Sequence, residues 1–553
     1  MSDEGFSPLE LEQIEGLNRR IDTLVSEAVS NVSKLTDGGK AIDDHQVHCE
    51  RVAYLATQLA ASRALVDYAL QAAGAGAAEP WLVDEAAVFA GEFATNLGAQ
   101  LIAVGTDFGL SEESVAGWLG DSATVDLIRA CNSEARVRAI GRQIAETRGV
   151  NNGWLADEDA VMVRDSVRAF ASQEVAPLAE EIHVLDQLIP DTLINKMAEM
   201  GYFGMSSPSE YGGLGMGNLA MILTTEELSR ASLAAAGSLI TRPEILTKAL
   251  LKGGTEEQKQ KWLPVIGSGE LMVGIAVTEP DVGSDVASVA CRAEKAEVGG
   301  RAGYVLNGAK AWCTFAGRAN LLALLARTNP DPGSGARGLS MFIVEKDAAD
   351  GHEFVVRQPG GGVLEGKADR TPGYRGMHSF TLAFEDYFVP EENLVGGSEW
   401  LDKGFYLQMN GFAAGRLQTG GRASGLGQAS LEVTAAYVSD RRQFGRPIID
   451  FQLTQYKLGR MAAHLQAARQ LTYGAALRMD EDESVSLEPA MAKLLACDVA
   501  VWVSQEGQLL HGGWGYAEEY PISRYVIDAQ VLPIFEGVKP ILELKVIARQ
   551  LLA

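Results

Sequence analysis

The chain has 553 residues, with 47 Lys plus Arg against 73 Asp plus Glu and a formal net charge of −26. This length exceeds one ordinary domain, and so acidic a surface argues against nucleic-acid or anionic-membrane partners because carboxylates repel phosphate. Five cysteines without CxxC spacing argue against zinc sites and disulfide frameworks. The acidic N-terminus lacks a signal-peptide pattern, and no run approaches ~18 uninterrupted apolar residues, so we expect a cytoplasmic protein without a membrane segment.

In chain order, the patterns predict four parts. Helical periodicity indicates an N-terminal helical extension over residues 1–153 and a helical domain over 154–270, in which Thr255 and the acidic residues after it predict a helix start. Short apolar or alternating runs separated by Gly, Pro, Asp and Asn predict a small β domain over 271–397. Long helical patterns return over 398–553. The predicted fold class is therefore mainly α with a small central β domain.

An internal repeat connects the two ends of the chain. With Asp44 set against Asp450, six identities follow without gaps, at Gln46, Ala56, Leu59, Ala61, Arg63 and Leu65. Polar as well as apolar residues match, so the extension is interpreted as a degenerate copy of the C-terminal helical part. The alternative is coincidence between two Ala/Leu-rich helices.

Two segments of the β domain carry candidate binding chemistry. In AVTEPDVGSDVAS (276–288), a strand leads into a tight Pro/Gly turn, which exposes backbone N–H groups and the hydroxyls of Thr278 and Ser284. Such donors suit a flavin edge or a pyrophosphate, although a plain β-turn would use the same residues. About thirty residues later, NGAKAWCT (307–314) places Trp312 and Thr314 on a strand; a tryptophan there is more often simple core.

Together these segments resemble the two flavin-binding signatures of the acyl-CoA dehydrogenase family, and the resemblance covers roughly residues 155–553. It implies the family's fold, an N-terminal α domain, a β-barrel-like domain and a C-terminal four-helix bundle, here with a helical extension. It also implies FAD as cofactor, with Trp312 against the isoalloxazine. The cofactor contacts that it implies are Ile275, Val277, Thr278, Gly283, Ser284, Trp312, Thr314, Arg441, Phe444, Gln452, Leu509, Gly512 and Gly513.

The segment IFEG (534–537) carries the candidate base. Glu536 lies between an aromatic residue and a glycine after the apolar run VLPI, which predicts a poorly hydrated carboxylate suited to proton abstraction near neutral pH. The resemblance makes Glu536 the base of an acyl-CoA dehydrogenase that passes electrons to an electron-transferring flavoprotein. It adds Ser284, Arg416 and Gly537 as substrate contacts. In the extension Arg129 stands at the equivalent place, so that copy is expected to be catalytically silent.

Several residues depart from the family pattern. Leu509 stands where glutamine is usual, Val538 where threonine is usual and Ala413 where aspartate is usual, which puts some adenosine and coenzyme A contacts in question. Two other patterns are interpreted as structural: His45 and His48, which have helical i, i+3 spacing but no further ligands, and the glycine loop 213–217, which lacks a preceding strand.

The long extension and the C-terminal tail resemble those of a family member that acts on (2S)-methylsuccinyl-CoA. This resemblance implies that substrate, with mesaconyl-CoA as product, as in the ethylmalonyl-CoA route of acetate assimilation. Its distal carboxylate needs a cation; Arg242 is the first choice and Arg375 the second, with a surface ion pair as the alternative for either. The alternatives are a short-chain or isobutyryl-type dehydrogenase, an acyl-CoA oxidase and an inactive flavin-binding scaffold. The segment 439–452 resembles the stretch that reaches a neighbouring subunit's FAD, and an extension that covers the bundle would limit assembly to a homodimer.

Overall fold

The computed structural model describes residues 7–151 and 153–553. The chain forms two compact units. The first contains the chain up to Asp165 together with Thr419–Ala553, and the second spans Ser166–Gln418. The two ends of the chain therefore fold together in the first unit.

Within residues 7–151, six α-helices form the extension, and α1 shows why. Its buried residues Ile14, Leu17, Ile21 and Leu24 recur every three or four positions, which places them on one face. The helices are α1 (Leu11–Leu35), α2 (Gln46–Gly74), α3 (Pro80–Val104), α4 (Glu112–Gly120), α5 (Ser122–Cys131) and α6 (Glu134–Glu146).

The helical domain begins at the end of the first unit and continues in the second. The predicted start at Thr255 is confirmed, because its side chain accepts from the N–H of Gln258, whose own side chain accepts from the N–H of Thr255. The helices are α7 (Glu158–Phe170), α8 (Ala176–Val184), α9 (Asp191–Glu199), α10 (Gly217–Ala231), α11 (Thr241–Gly253) and α12 (Glu256–Gly267).

A β domain follows in the second unit, with its strands inside the predicted range. The strands are β1 (Val273–Ala276), β2 (Arg292–Val298), β3 (Arg301–Thr314), β4 (Leu321–Arg327), β5 (Leu339–Glu345), β6 (Glu353–Arg357), β7 (Val363–Ala368) and β8 (Ser379–Pro390). Their order in the sheet is β1-β4-β2-β3-β8-β7-β6, and β5 pairs with β4. The long strand β3 pairs with β8 through two register shifts, at Leu306/Gly308 and Lys310/Cys313.

Long helices return after the β domain, as predicted, and the predicted fold class is confirmed. The elements are α13 (Gly404–Asp440), the short β9 (Arg442–Gln443) and β10 (Arg446–Pro447), α14 (Gln452–Glu481), α15 (Leu487–His511), α16 (Pro521–Ala529), α17 (Lys539–Ile541) and α18 (Arg549–Leu552).

Within the first unit, the extension packs directly on the C-terminal helices. Helices α6 and α14 cross where Gly141 and Gly459 face each other. A Cβ atom on Gly141 would overlap the Gln455 carbonyl, and one on Gly459 would overlap the Val137 carbonyl. Backbone meets backbone at this crossing, so it depends on the absence of side chains at both positions.

We therefore expect Gly459→Ala to destabilise the protein by about 1–3 kcal/mol, the usual effect of overpacking, because the two helices must separate. Gly474→Ala is the matched control on the same helix. A Cβ there meets nothing within 4 Å, so it should be neutral or should stabilise the helix by up to ~1 kcal/mol. Unfolding midpoints in denaturant distinguish the two variants. Equal midpoints would contradict a close backbone contact between α6 and α14 at Gly459.

A half-buried ion-pair cluster also joins the extension to the bundle. Arg460 on α14 donates to both oxygens of Glu92 on α3 at 2.6 and 2.8 Å, and His464 Nε2 lies 2.9 Å from Glu92. Burial acts to raise the pKa of Glu92, but the hydrogen bonds from His464 and Arg460 outweigh it and hold the pKa at about 2.

This cluster predicts acid sensitivity. A carboxylate with a depressed folded-state pKa stabilises the protein above its unfolded value, ordinarily near 4.5, and that contribution is lost as pH falls toward 2. We expect Glu92→Gln to cost about 2–3 kcal/mol at pH 7. The difference in unfolding midpoint from the unsubstituted protein should shrink between pH 5 and pH 3, and a constant difference would contradict this assignment.

One stretch of the extension passes a test for membrane crossing by length and composition alone. Over Trp81–Phe108 the best 18-residue window has a mean hydropathy of 1.3, and half of that window is buried inside the protein. Acidic residues interrupt this stretch, so it contains no long uninterrupted apolar run. Its Asp84 pairs with Arg136, and its Glu92 pairs with Arg460, both in the first unit. These partners indicate that the stretch packs as a core helix of that unit.

Candidate active site

In the second unit, a buried ion pair holds the loop after β1. Glu279 accepts from the backbone N–H groups of Ala290 and Cys291, each at 2.8 Å, and from Lys310 Nζ at 2.8 Å. The fully buried Lys310 also donates to the Val277 carbonyl at 3.0 Å. The loop's conformation is thus fixed by its own carboxylate and by a cation from β3. Both residues lie inside the two motifs, but the sequence alone did not predict a role for either.

The same contacts bring the two predicted flavin segments together. The N–H of Ala311 on β3 donates to the Thr278 carbonyl at 2.8 Å. Beside it, the register shift between Lys310 and Cys313 puts Trp312 at φ 57° and leaves its side chain 59% exposed. An exposed tryptophan with a strained backbone conformation is more typical of a binding surface than of a hydrophobic core.

The other predicted cofactor residues of this unit differ in exposure. The Thr314 hydroxyl lies 3.1 Å from the Ser379 hydroxyl and is nearly buried. Val277 packs in a core cluster, so only its backbone is available to a ligand. The remaining members are half-buried or exposed: Ile275, Thr278, Gly283 and Ser284.

In the first unit, the segment that carries Glu536 has an unusual backbone. Glu536 has φ 54° and Gly537 has φ 98°, and a non-glycine residue in this region costs of order 1–3 kcal/mol unless its surroundings enforce it. Lys493, fully buried on α15, enforces it by donating to the Phe535 carbonyl at 2.5 Å and to the Gly537 carbonyl. Sequence patterns alone did not indicate this lysine.

A second residue absent from the sequence predictions lies beside Glu536. The fully buried Arg422 on α13 places Nη2 3.8 Å from Glu536 Oε1, and its guanidinium lies 4.5 Å from the centre of the Phe535 ring. Nη2 also donates to Thr419 Oγ1 at 2.6 Å. The Glu536 side chain is 7% exposed. Arg422 therefore places a positive charge next to a poorly hydrated carboxylate.

The extension reaches the same segment through Asp498. Lys539, three residues after Glu536, donates to Asp498 at 2.6 Å, and Tyr54 of α2 donates to the same carboxylate at 2.6 Å. The extension therefore contacts a residue that anchors the chain after the candidate base.

A separate cleft of about 550 Å³ opens in the first unit. Four of the predicted cofactor residues line it: Arg441, Leu509, Gly512 and Gly513. His511 lines it as well, with its ring stacked on Tyr437 at 4.3 Å, and burial lowers the pKa of this histidine. A guanidinium and two side-chain-free backbone positions suit a pyrophosphate.

Two predicted members of this group lie outside the cleft lining. Phe444 is 93% exposed at φ 52°, and Gln452 is exposed at the start of α14.

The predicted substrate arginines all lie in the second unit. Arg242, at the start of α11, is buried, and its Nη1 donates to the Ser238 carbonyl at 3.1 Å. Arg375 donates to the His183 carbonyl at 2.8 Å, and its Nε lies 3.6 Å from Asp186 Oδ1. Arg416 is half-buried on α13. The contacts of Arg375 with an anion and a carbonyl favour a structural role for it.

Family models match almost the whole chain. The model described as acyl-CoA dehydrogenase, N-terminal domain, matches residues 157–270, and the middle-domain model matches 274–387. The C-terminal-domain model matches two segments, 17–145 and 402–552. The extension and the C-terminal helices thus share one family description.

Named relatives agree with these models. The (2S)-methylsuccinyl-CoA dehydrogenase of Cereibacter sphaeroides is 42% identical over 398 residues, which cover 72% of this chain and 70% of the relative. The mitochondrial isovaleryl-CoA dehydrogenase of Solanum tuberosum is 36% identical over 75% of this chain and 96% of the relative.

Solved structures give the same picture. Butyryl-CoA dehydrogenase from Megasphaera elsdenii aligns with a TM-score of 0.66 and 30% identity, covering 73% of this chain and all of that chain. A structure reported for the electron transferring flavoprotein of Acidaminococcus fermentans aligns with a TM-score of 0.64 and 32% identity. The alignment covers 71% of this chain and 98% of that chain.

Proposed function

This chain belongs to the acyl-CoA dehydrogenase family and is an FAD-dependent oxidoreductase acting on CH–CH bonds; within it, we propose that the substrate is (2S)-methylsuccinyl-CoA, the product mesaconyl-CoA and the electron acceptor an electron-transferring flavoprotein. The observation that supports this substrate is the 42% identity to a (2S)-methylsuccinyl-CoA dehydrogenase, which exceeds the 36% identity to an isovaleryl-CoA dehydrogenase.

The residues present fit FAD. In the second unit, Trp312 offers an exposed aromatic face, and the loop at Thr278 is held rigid by Glu279 and Lys310. In the first unit, Arg441 lines a cleft with glycine backbone. When bound, FAD supplies the acceptor for the β-hydride of the substrate.

The protein's own part in the reaction is proton removal. Glu536 takes the α-proton of the thioester, and the electron pair of that C–H bond forms the new double bond as the β-hydrogen departs. Arg422 places a positive charge beside the carboxylate, and Lys493 holds the backbone that aims it. A poorly hydrated carboxylate accepts a proton more readily than one in bulk water.

Arg242 is the proposed partner of the distal carboxylate. It is a buried cation, and a charge-assisted hydrogen bond to a carboxylate contributes about 1.5–3 kcal/mol. Arg375 is the second choice, and it contacts Asp186 and the His183 carbonyl.

The experiment is anaerobic flavin reduction followed by steady-state turnover with a panel of acyl-CoAs. Methylsuccinyl-CoA should bleach the flavin, and reoxidation should require the flavoprotein acceptor. Rapid reoxidation by oxygen would instead indicate an oxidase, and preference for isobutyryl- or butyryl-CoA would overturn the substrate. A protein that binds FAD but is bleached by none of them would be a scaffold.

Substitution of Arg242 tests whether this residue recognises the distal carboxylate of the proposed substrate. Arg242→Met should lower kcat/KM for methylsuccinyl-CoA by ~10–100-fold, the effect of one charge-assisted hydrogen bond, with a much smaller change for isobutyryl-CoA, which lacks the carboxylate. Arg375→Met is the comparison variant. An equal loss on both substrates in Arg242→Met would point to misfolding rather than recognition.

We also propose that the protein is a homodimer. In the first unit, the large side chains of Phe444, Leu509 and Tyr516 are 93%, 70% and 87% exposed, and exposed apolar surface often marks an interaction site. The extension packs on α14 through Gly141 and Gly459, which supports the idea that it occupies a surface of the bundle otherwise open to another subunit. Light scattering should give the mass of two chains, and four would contradict the proposal.

A further inference from the structure

Three side chains of the second unit, none of which has a role in the proposed reaction, lie close together and have the composition of a transition-metal site. They are Asp186, in the loop after α8, and His352 and His378 of the β domain. One ligand atom from each lies within 4.8 Å of the other two. The His378 Nε2 and Asp186 Oδ1 atoms are 3.1 Å apart, and the two imidazole rings are 4.4 Å apart at a tilt of 41°.

The sheet explains why the histidines meet although 26 positions of sequence separate them. His352 directly precedes β6 and His378 directly precedes β8. Both strands pair antiparallel with β7, so they run in the same direction and begin at the same edge of the sheet. At that edge β7 ends at Ala368, which leaves room for the two rings to approach each other.

The backbone holds two of the three groups in place. Asp186 has φ 54° and His378 has φ 44°, conformations that non-glycine residues adopt at a cost and that often occur at functional sites. The N–H of Phe315 donates to the His378 carbonyl at 2.8 Å. His378 is buried, Asp186 is half-buried and His352 is exposed, so an ion could enter from solvent.

We propose that Asp186, His352 and His378 form a binding site for a divalent transition ion, with Zn²⁺ as the best fit. Two imidazoles and one carboxylate are a ligand set that Zn²⁺ prefers, with a fourth position left for water. Zinc–ligand bonds of about 2.0–2.1 Å in a tetrahedron place ligand atoms about 3.3 Å apart. The His378–Asp186 pair already has this separation, and the exposed His352 needs only a side-chain adjustment.

Arg375 makes the proposal testable in both directions. Its Nε lies 3.6 Å from Asp186 Oδ1, so its guanidinium opposes a second cation at the same carboxylate. Removing this charge should therefore tighten metal binding, whereas removing an imidazole should weaken it. A simple His378–Asp186 hydrogen bond predicts neither effect.

The site is adjacent to a flavin-contact residue. Ser379 follows His378 in the chain, and its hydroxyl lies 3.1 Å from that of Thr314. An ion that fixes His378 should therefore change the surroundings of Thr314. This gives a spectroscopic readout that is independent of turnover.

The experiment is calorimetric titration of the chelator-treated holoenzyme with Zn²⁺, with Co²⁺ absorption as a check on coordination by nitrogen. We expect one site per chain, weakened at least ~10-fold in His352→Gln, since loss of even an outer-sphere partner costs 10–100-fold. Binding should be several-fold tighter in Arg375→Met, and the flavin absorption band should shift on zinc addition to the unsubstituted protein.

His48→Gln is the matched control, because His45 and His48 form another histidine pair, with rings 5.8 Å apart. His352 is exposed, so its replacement does not threaten folding, and thermal midpoints verify this. The proposal is overturned if the unsubstituted protein shows no saturable site, if His352→Gln binds equally well, or if only His48→Gln loses the site.

Discussion

Replacing Glu536 by Gln should lower the rate of flavin reduction by acyl-CoA by at least ~10²-fold and up to ~10⁴-fold, the range that a positioned general base contributes. The amide has nearly the same shape but cannot accept the α-proton. Because Lys493 donates to the carbonyls on either side of Glu536, the segment should keep its conformation. Stopped-flow reduction under anaerobic conditions measures the effect directly.

Three controls make this result specific. FAD content and the thermal midpoint should match those of the unsubstituted protein, because no predicted cofactor contact is removed. Glu518→Gln, at an exposed position of the same unit, should reduce flavin at the normal rate. Normal reduction by Glu536→Gln would assign the base to another residue.

The second large effect is expected for Arg422→Met. The substitution leaves a carboxylate that is 7% exposed without its neighbouring cation. Breaking a buried ion pair by removing one partner commonly costs ~3–5 kcal/mol. We expect kcat/KM to fall by ~10–100-fold at pH 7, because the proposed base loses the cation beside it. Steady-state turnover measures the effect.

A variant that keeps the charge separates this role from a merely structural one. Arg422→Lys keeps the charge and should restore part of the lost kcat/KM, although it cannot reproduce the planar contact with Phe535. Arg478→Met, at a surface ion pair with Glu488, is the control and should leave kcat/KM unchanged. If Arg422→Lys loses as much activity as Arg422→Met, the arginine supports packing and not the base.

Local sequence patterns determined the chain's organisation and its candidate chemistry. The change from helical to alternating periodicity near residue 271, the cap at Thr255 and the two flavin segments each depend on neighbours within about ten residues. The same is true of Glu536, whose flanking phenylalanine and glycine are adjacent in the chain. Such signals are present in the sequence because the physical causes act over short chain distances.

Only the tertiary structure decided which distant residues support that chemistry. Arg422 and Glu536 are 114 positions apart, and Lys310 and Glu279 are 31 apart. Nothing in the surrounding sequence distinguishes a buried, paired cation from a solvated one. The meeting of Gly141 with the backbone of α14, and of His352 with His378, likewise depends on packing, because burial and charge pairing are properties of the folded neighbourhood rather than of a residue's position in the chain.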